Sequence, residues 1–139
     1  MKSRVELQLS KGRSCVYCGK QNNTTVPHHY KGMYQELFRN RSKVHDLMTM
    51  DLCFTCHNDM HNNSHFNKQS KEEQTLLQYR LIQQTLKRDH QNGNLIDNTI
   101  IFNTIVNTDM VDSKWLLQYN MYFKSLIKQW ELGNIKYIK

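Results

Sequence analysis

Leu52-Cys53-Phe54-Thr55-Cys56-His57-Asn58-Asp59-Met60-His61 is the stretch on which the reading of the whole chain turns. Its two thiols stand three residues apart. Two imidazoles follow on the i, i+4 step of a helix, so one short element offers two sets of metal donors facing different ways. The thiols have partners in Cys15-Val16-Tyr17-Cys18, which holds the only other cysteines at the same spacing. Two C-x-x-C pairs predict a four-cysteine structural zinc. The imidazoles have partners in His28-His29, which lies between the pairs. A zinc knuckle would bring this tandem close to the Cys53 to His61 segment, and a second, catalytic metal site is expected there.

Length and composition bound what surrounds these motifs. The 139 residues make one domain, or one small domain with an extension, and a hydrophobic fraction of 38% limits the core that can be buried. A metal staple would help such a chain fold. The net charge of +7 is uneven: residues 1–70 carry ten Lys/Arg against five Asp/Glu, and residues 71–139 carry nine against seven. The basic surplus therefore accompanies the metal motifs, as a polyanion-binding site requires, although basic surfaces also serve solubility. The N-terminal Met1-Lys2-Ser3-Arg4-Val5-Glu6 lacks the apolar run of a secretion signal, and no stretch approaches the length of a membrane span. The expected setting is cytoplasmic, without membrane partners. In a reducing cytosol, paired cysteines are metal ligands rather than disulfides.

In chain order, Arg4 to Leu9 alternates apolar and polar residues, which predicts a short strand ending at Gly12. Cys15 to Gly19 reads as a zinc knuckle, and Thr24-Thr25-Val26 as a strand leading through Pro27 to the histidines. The basic stretch from Lys31 to Ser42 predicts a loop or short helix, and Leu47 to Leu52 a second strand running straight into the His57 and His61 helix. Beyond the polar Asn67-Lys68-Gln69, Ser70 with Glu73 forms a capping box that opens a helix to about His90, with Leu77, Leu81, Ile82 and Leu86 in its stripe. Asn92-Gly93 ends it. Leu95 to Val106 allows either strand or helix. Trp115 to Trp130 repeats apolar residues at three- and four-residue steps after an Asp112-Ser113 cap, predicting a last helix that Gly133 stops. Its default role is packing on the preceding helix, while its wide apolar face keeps homodimerisation in view. The division expected is a zinc-stapled core over 1–69 and a mainly helical extension over 70–139.

The chemistry lies in the histidines. His57 and His61 can bind one ion from the same face of a helix, and His28 can complete a three-imidazole site with open positions, which catalysis needs. His29, held on the other side of the strand, would be free of metal and able to take a proton from water. His65 extends the helical face by a further turn, a spacing more often coincidental than ligating. Cys53-Phe54-Thr55-Cys56-His57 is also the pattern of covalent haem attachment, but that leaves Cys15, Cys18, His61 and His28-His29 unexplained. Thiol catalysis is disfavoured because cysteines paired at zinc spacing are occupied ligands.

Together Cys15-x-x-Cys18, His28-His29 and Leu52-Cys53-x-x-Cys56-His57-x-x-x-His61 resemble the HNH nucleases over about residues 13–68. The resemblance implies an α+β chain built on a small ββα-metal core with a four-cysteine zinc, followed by the helical C-terminal extension. Lys43-Val44-His45-Asp46-Leu47 with Met50-Asp51-Leu52-Cys53 is similar to small phage and prophage HNH proteins associated with recombination. Carried over, the pattern makes His29 the general base, His28, His57 and His61 the surroundings of a catalytic Mg2+ or Mn2+, and Cys15, Cys18, Cys53 and Cys56 the holders of structural Zn2+. The asparagine that names the motif has no clear counterpart. His45 or Asp46 takes its place ahead of Asn40, since an imidazole or carboxylate can make the hydrogen bond that orients the base.

The function expected is therefore metal-dependent DNA endonuclease activity in phage or prophage DNA recombination or processing, in the host cytoplasm and beside a recombination protein partner. Lys31, Arg39, Arg41 and Lys43 are the expected DNA contacts. The different-class alternative is a non-catalytic zinc module that binds nucleic acid or docks on a DNA-processing complex.

Overall fold

The computed structural model describes residues 9–40, 43–62, 68–97 and 99–138, and the fold is mixed α and β. β1 (Val26–His29) runs antiparallel to β4 (Thr49–Leu52), with His28 opposite Met50 and His29 opposite Thr49. Each strand of a two-stranded sheet keeps one unpaired edge, which accommodates the missing N–H of Pro27. Between these strands the basic stretch expected as a loop or short helix holds a 3-10 turn (Gln35–Phe38) and, beyond that expectation, β2 (Arg39–Asn40), which pairs with β3 (Lys43–Val44). α1 (Phe54–Asn62) follows β4 directly. Its first orphan donor, the Phe54 N–H, is accepted by the Thr24 hydroxyl at 3.0 Å.

α2 (Lys71–Gln91) begins as its capping box predicts, with the Ser70 side chain accepting from the Glu73 N–H. Gly93, at φ 76°, follows its end. The buried stripe includes Leu76, Tyr79, Ile82 and Leu86, so it is broader than the leucine spacing indicated, and Leu77 packs only at its margin. α2 lies on β4, and all four β4 residues are buried. The ambiguous stretch after Gly93 holds both element types: β5 (Leu95–Asp97), then α3 (Ile100–Asn107) capped by Thr99. The last helix, α4 (Leu116–Glu131), follows a 3-10 turn (Ser113–Trp115) capped by Asp112. Past Gly133 the chain forms β6 (Ile135–Tyr137), which no sequence signal announced and which pairs with β5. The strand expected over Arg4 to Leu9 falls outside the described residues except for Leu9, which with Ser10 is helical. Among the described residues no helix is long and apolar enough to cross a membrane.

One hydrophobic core runs from Cys15 to Ile135 and so crosses the division expected at residues 69 and 70. Its aromatic centre is Tyr30 and Phe38 from the loop after β1, Tyr79 from α2 and Phe123 from α4. Ring centroids there are 5.0 Å apart for Tyr79 and Phe123 and 5.3 Å for Tyr30 and Tyr79. Tyr119, Phe123, Leu126 and Ile127 of the last helix are core, whereas Trp115, Leu117 and Met121 stay exposed.

A buried polar cluster ties the same halves together. Asp51 of β4 accepts from Ser10 Oγ at 2.5 Å and from Arg88 of α2 at 2.6 Å, with Arg13 at 3.3 Å. Arg13 also pairs with Asp89, and Arg88 donates to the Ser14 carbonyl at 2.9 Å. Burial pushes the Asp89 carboxyl upward, against the pull of Arg13. The residues leading into both cysteine pairs are thus bound to the second half of α2.

Candidate metal centres

Cys15 and Cys18 lie on a tight turn in which the Gly19 N–H bonds the Cys15 carbonyl at 2.9 Å. Gly19 takes a left-handed φ of 79°, which a residue with a Cβ adopts only under strain. The Val16 N–H donates to the Asp51 carbonyl at 2.9 Å, so the turn is fastened beside the end of β4, where Cys53 emerges. Cys56 follows in the first turn of α1. The four sulfurs lie within 4.8 Å of one another, and Cys18 Sγ is 3.7 Å from Cys53 Sγ. The edge of a tetrahedron of thiolates at about 2.3 Å from zinc is roughly 3.8 Å, so these residues fit that ion.

The protonation of the thiols suits the same conclusion. For Cys15, burial raises the pKa, but N–H donors from Cys18, Cys53 and Tyr17 outweigh it and lower the value to about 7. Cys56 is pushed upward by burial and by the neighbouring thiols. Four thiolates this close need a cation, which would take up their charge as the protons leave.

His57 and His61 occupy a different sector of α1, roughly 90° around its axis from the cysteines at 3.6 residues per turn. His28 reaches them from β1. Ring nitrogens of the three lie within 4.8 Å of one another, with His28 Nδ1 3.0 Å from His57 Nδ1 and the His28 and His61 ring centroids 4.9 Å apart. The site could hold a divalent ion: 3.0 Å matches the edge of an octahedron of about 2.1 Å radius, leaving other corners for small ligands. Its exposure is graded. His28 is buried, His57 half-buried and His61 exposed, whereas three of the four cysteines are buried. His65 lies outside the described residues.

Successive strand residues point to opposite faces, so His29 leaves the triad that His28 joins. Its Nε2 is 2.8 Å from Asp46 Oδ1. Burial opposes ionisation of Asp46, but the bond to His29 and the charge of Lys43, 3.4 Å away, hold its carboxyl below the ordinary value. An ionised carboxylate only accepts, so His29 Nε2 carries the proton of that bond, and Nδ1 is the nitrogen that accepts in the neutral form of the ring. The two residues preferred for the asparagine position thus separate. Asp46 reaches His29. His45 is buried, its Nδ1 accepts the Leu47 N–H at 3.0 Å, its ring sits edge-on to Trp130, and burial lowers its pKa.

The four expected DNA contacts are dispersed. Lys31 lines a cleft with His28 and His61, Lys43 is engaged with Asp46, Arg39 is exposed on β2, and Arg41 lies outside the described residues. The same cleft includes residues that sequence reasoning missed: Lys71, Gln74 and Gln78, all from α2. No local signal marks them, because their proximity to the histidines comes from packing between distant segments.

No curated protein and no solved structure matches the chain. Residues 2–89 match the model of a family described as a protein of unknown function, DUF968. That match covers more than half of the 139 residues, both candidate metal centres and most of α2, and the chain belongs to the DUF968 family.

Proposed function

We propose that the chain is a metal-dependent DNA endonuclease of the HNH class, hydrolysing phosphodiesters during phage or prophage DNA recombination or processing. The observation that carries this reading is the division of labour within one dipeptide: His28 stands with His57 and His61, while His29 bonds Asp46. The finer placement in recombination rests on the sequence resemblance around His45-Asp46 and Met50 to Cys53.

Asp46 holds the His29 ring in the tautomer whose Nδ1 is unprotonated, so that nitrogen takes a proton from the attacking water. His28, fixed by the β1 to β4 ladder, and the helix-borne His57 and His61 would hold Mg2+ or Mn2+ in cells, although three imidazoles also retain zinc or nickel. Such an ion, when bound, would offset the charge developing on the scissile phosphate and the leaving oxygen. The four-cysteine zinc is structural and touches no substrate.

The test is cleavage of plasmid and branched DNA with magnesium, manganese or EDTA, comparing wild type with His29→Ala. Metal-dependent cleavage by wild type and its loss in the variant are expected. Wild-type protein that carries metal yet never cleaves would leave the non-catalytic zinc module standing instead.

A further inference from the structure

We propose that the first turns of α2 form the second wall of the substrate cleft, where Lys71 acts with Lys31 to hold a backbone phosphate of DNA beside the one at the histidine triad. The substrate class rests on the nuclease reading; the wall itself rests on geometry. The cleft has a volume of about 190 Å3, and His28 and His61 lie on its boundary together with Lys31, Lys71, Gln74 and Gln78. Positions 71, 74 and 78 stand at i, i+3 and i+7, one face of a helix.

The lining has one electrostatic sign. Its formal charges are those of two lysines, and among the described residues no carboxylate lines it. The ion pairs among the described residues involve neither lysine. An ion on the triad would add two further positive charges, and among the described residues no carboxylate joins the three imidazoles, which favours an anionic ligand. Lys71 also occupies the first turn of α2, where a cation opposes the helix dipole and gives the helix nothing. An anion placed there meets the side chain and the dipole together.

The opposite lip is held rigidly. Gln78, buried within α2, donates from Nε2 to the Lys31 carbonyl at 2.8 Å and accepts the Lys31 N–H on Oε1 at 3.2 Å. Gly32 then turns the chain at φ 140°, a conformation that favours glycine. Lys31 thus projects from a backbone fixed to the helix that carries Lys71. Two cations beyond the metal ligands suit a polymer with successive phosphates better than a single phosphate.

The experiment measures binding of a short fluorescein-labelled DNA duplex at several salt concentrations. It uses the full chain with its cysteine zinc and no added divalent ion, comparing wild type with Lys71→Gln and Lys87→Gln. Lys87 is exposed on the far end of α2, about 160° around its axis, and serves as the control. Lys71→Gln should reduce the slope of log affinity against log salt by about 0.9, as when one phosphate is no longer neutralised, while Lys87→Gln keeps the wild-type slope. An unchanged slope in Lys71→Gln, or equal reductions in both variants, overturns the proposal. Failure of wild type to cleave DNA would sink the nuclease reading alone, because the slope is measured without catalysis.

Discussion

The two candidate centres share a helix, yet they are built on opposite principles. The cysteine centre gathers donors from one tight turn and from the junction of β4 with α1, buries three of its four residues and offers a complete tetrahedral set. The histidine centre uses three donors, grades from the buried His28 to the exposed His61 and opens onto a cleft. The difference shows that ligand number and exposure, more than ligand type, separate a site that holds a fold together from one that can exchange ligands.

The largest effect that could break the comparison is at the closed centre. Cys53→Ser should release one zinc per chain and unfold much of residues 13–68, since structural zinc contributes roughly 10–16 kcal/mol in small zinc domains. Metal analysis and thermal melting read this out; unchanged zinc and melting would mean that the four thiols hold no structural ion.

Asp51→Ala should come next. It leaves every metal donor in place but deprives Arg88 of its carboxylate and leaves Arg13 with Asp89 alone, at a cost of roughly 3–5 kcal/mol for breaking a buried charge cluster. Denaturant unfolding with zinc content measured alongside would sharpen the contrast: stability falls and stoichiometry holds. A variant as stable as wild type would mean that the cluster does not anchor the cysteine turns to α2.

At the open centre the effects should fall on rate and spare the fold. His29→Ala should slow cleavage by roughly 10²–10⁴-fold, the contribution of a general base, with melting temperature and zinc content as in wild type. Asp46→Asn keeps the shape of the side chain but removes the charge that selects the His29 tautomer, and a loss of roughly 10–100-fold is expected for an orienting partner. If Asp46→Asn cleaved at the wild-type rate while His29→Ala did not, the bond at 2.8 Å would be packing rather than orientation.

The smallest effect concerns the rim. Neutralising Lys31 and Arg39 together should weaken DNA binding irrespective of sequence and lower the salt slope by about 0.9 for each phosphate that is no longer paired with a cation. Isotherms in which only Lys31 matters would confine the DNA path to the cleft and exclude the β2 surface.

How much of this was legible in the sequence depends on the range of each interaction. The cysteine pairs, the i, i+4 histidines and the Ser70 cap are patterns within one turn or one helix, and their chemistry is written in residue spacing. The strand pair carrying His28-His29 was legible for the same reason, although β1 starts later than the Thr24 to Val26 reading placed it. β6 carries no such pattern: three residues after a glycine form a strand only because β5 is there to pair with them.

The amino-acid sequence by itself determined which donors exist, that they fall into a thiol set and an imidazole set, and that helices follow residue 70. Only the tertiary structure decided that Asp46 and not His45 meets His29, that Arg88 reaches back 37 residues to Asp51, and that Gln78 grips Lys31 from 47 residues away. These bonds join segments with no shared periodicity. Several side chains of each kind could have made them, and the choice fell to whichever ones the pairing of β1 with β4 and the packing of α2 on β4 brought within reach.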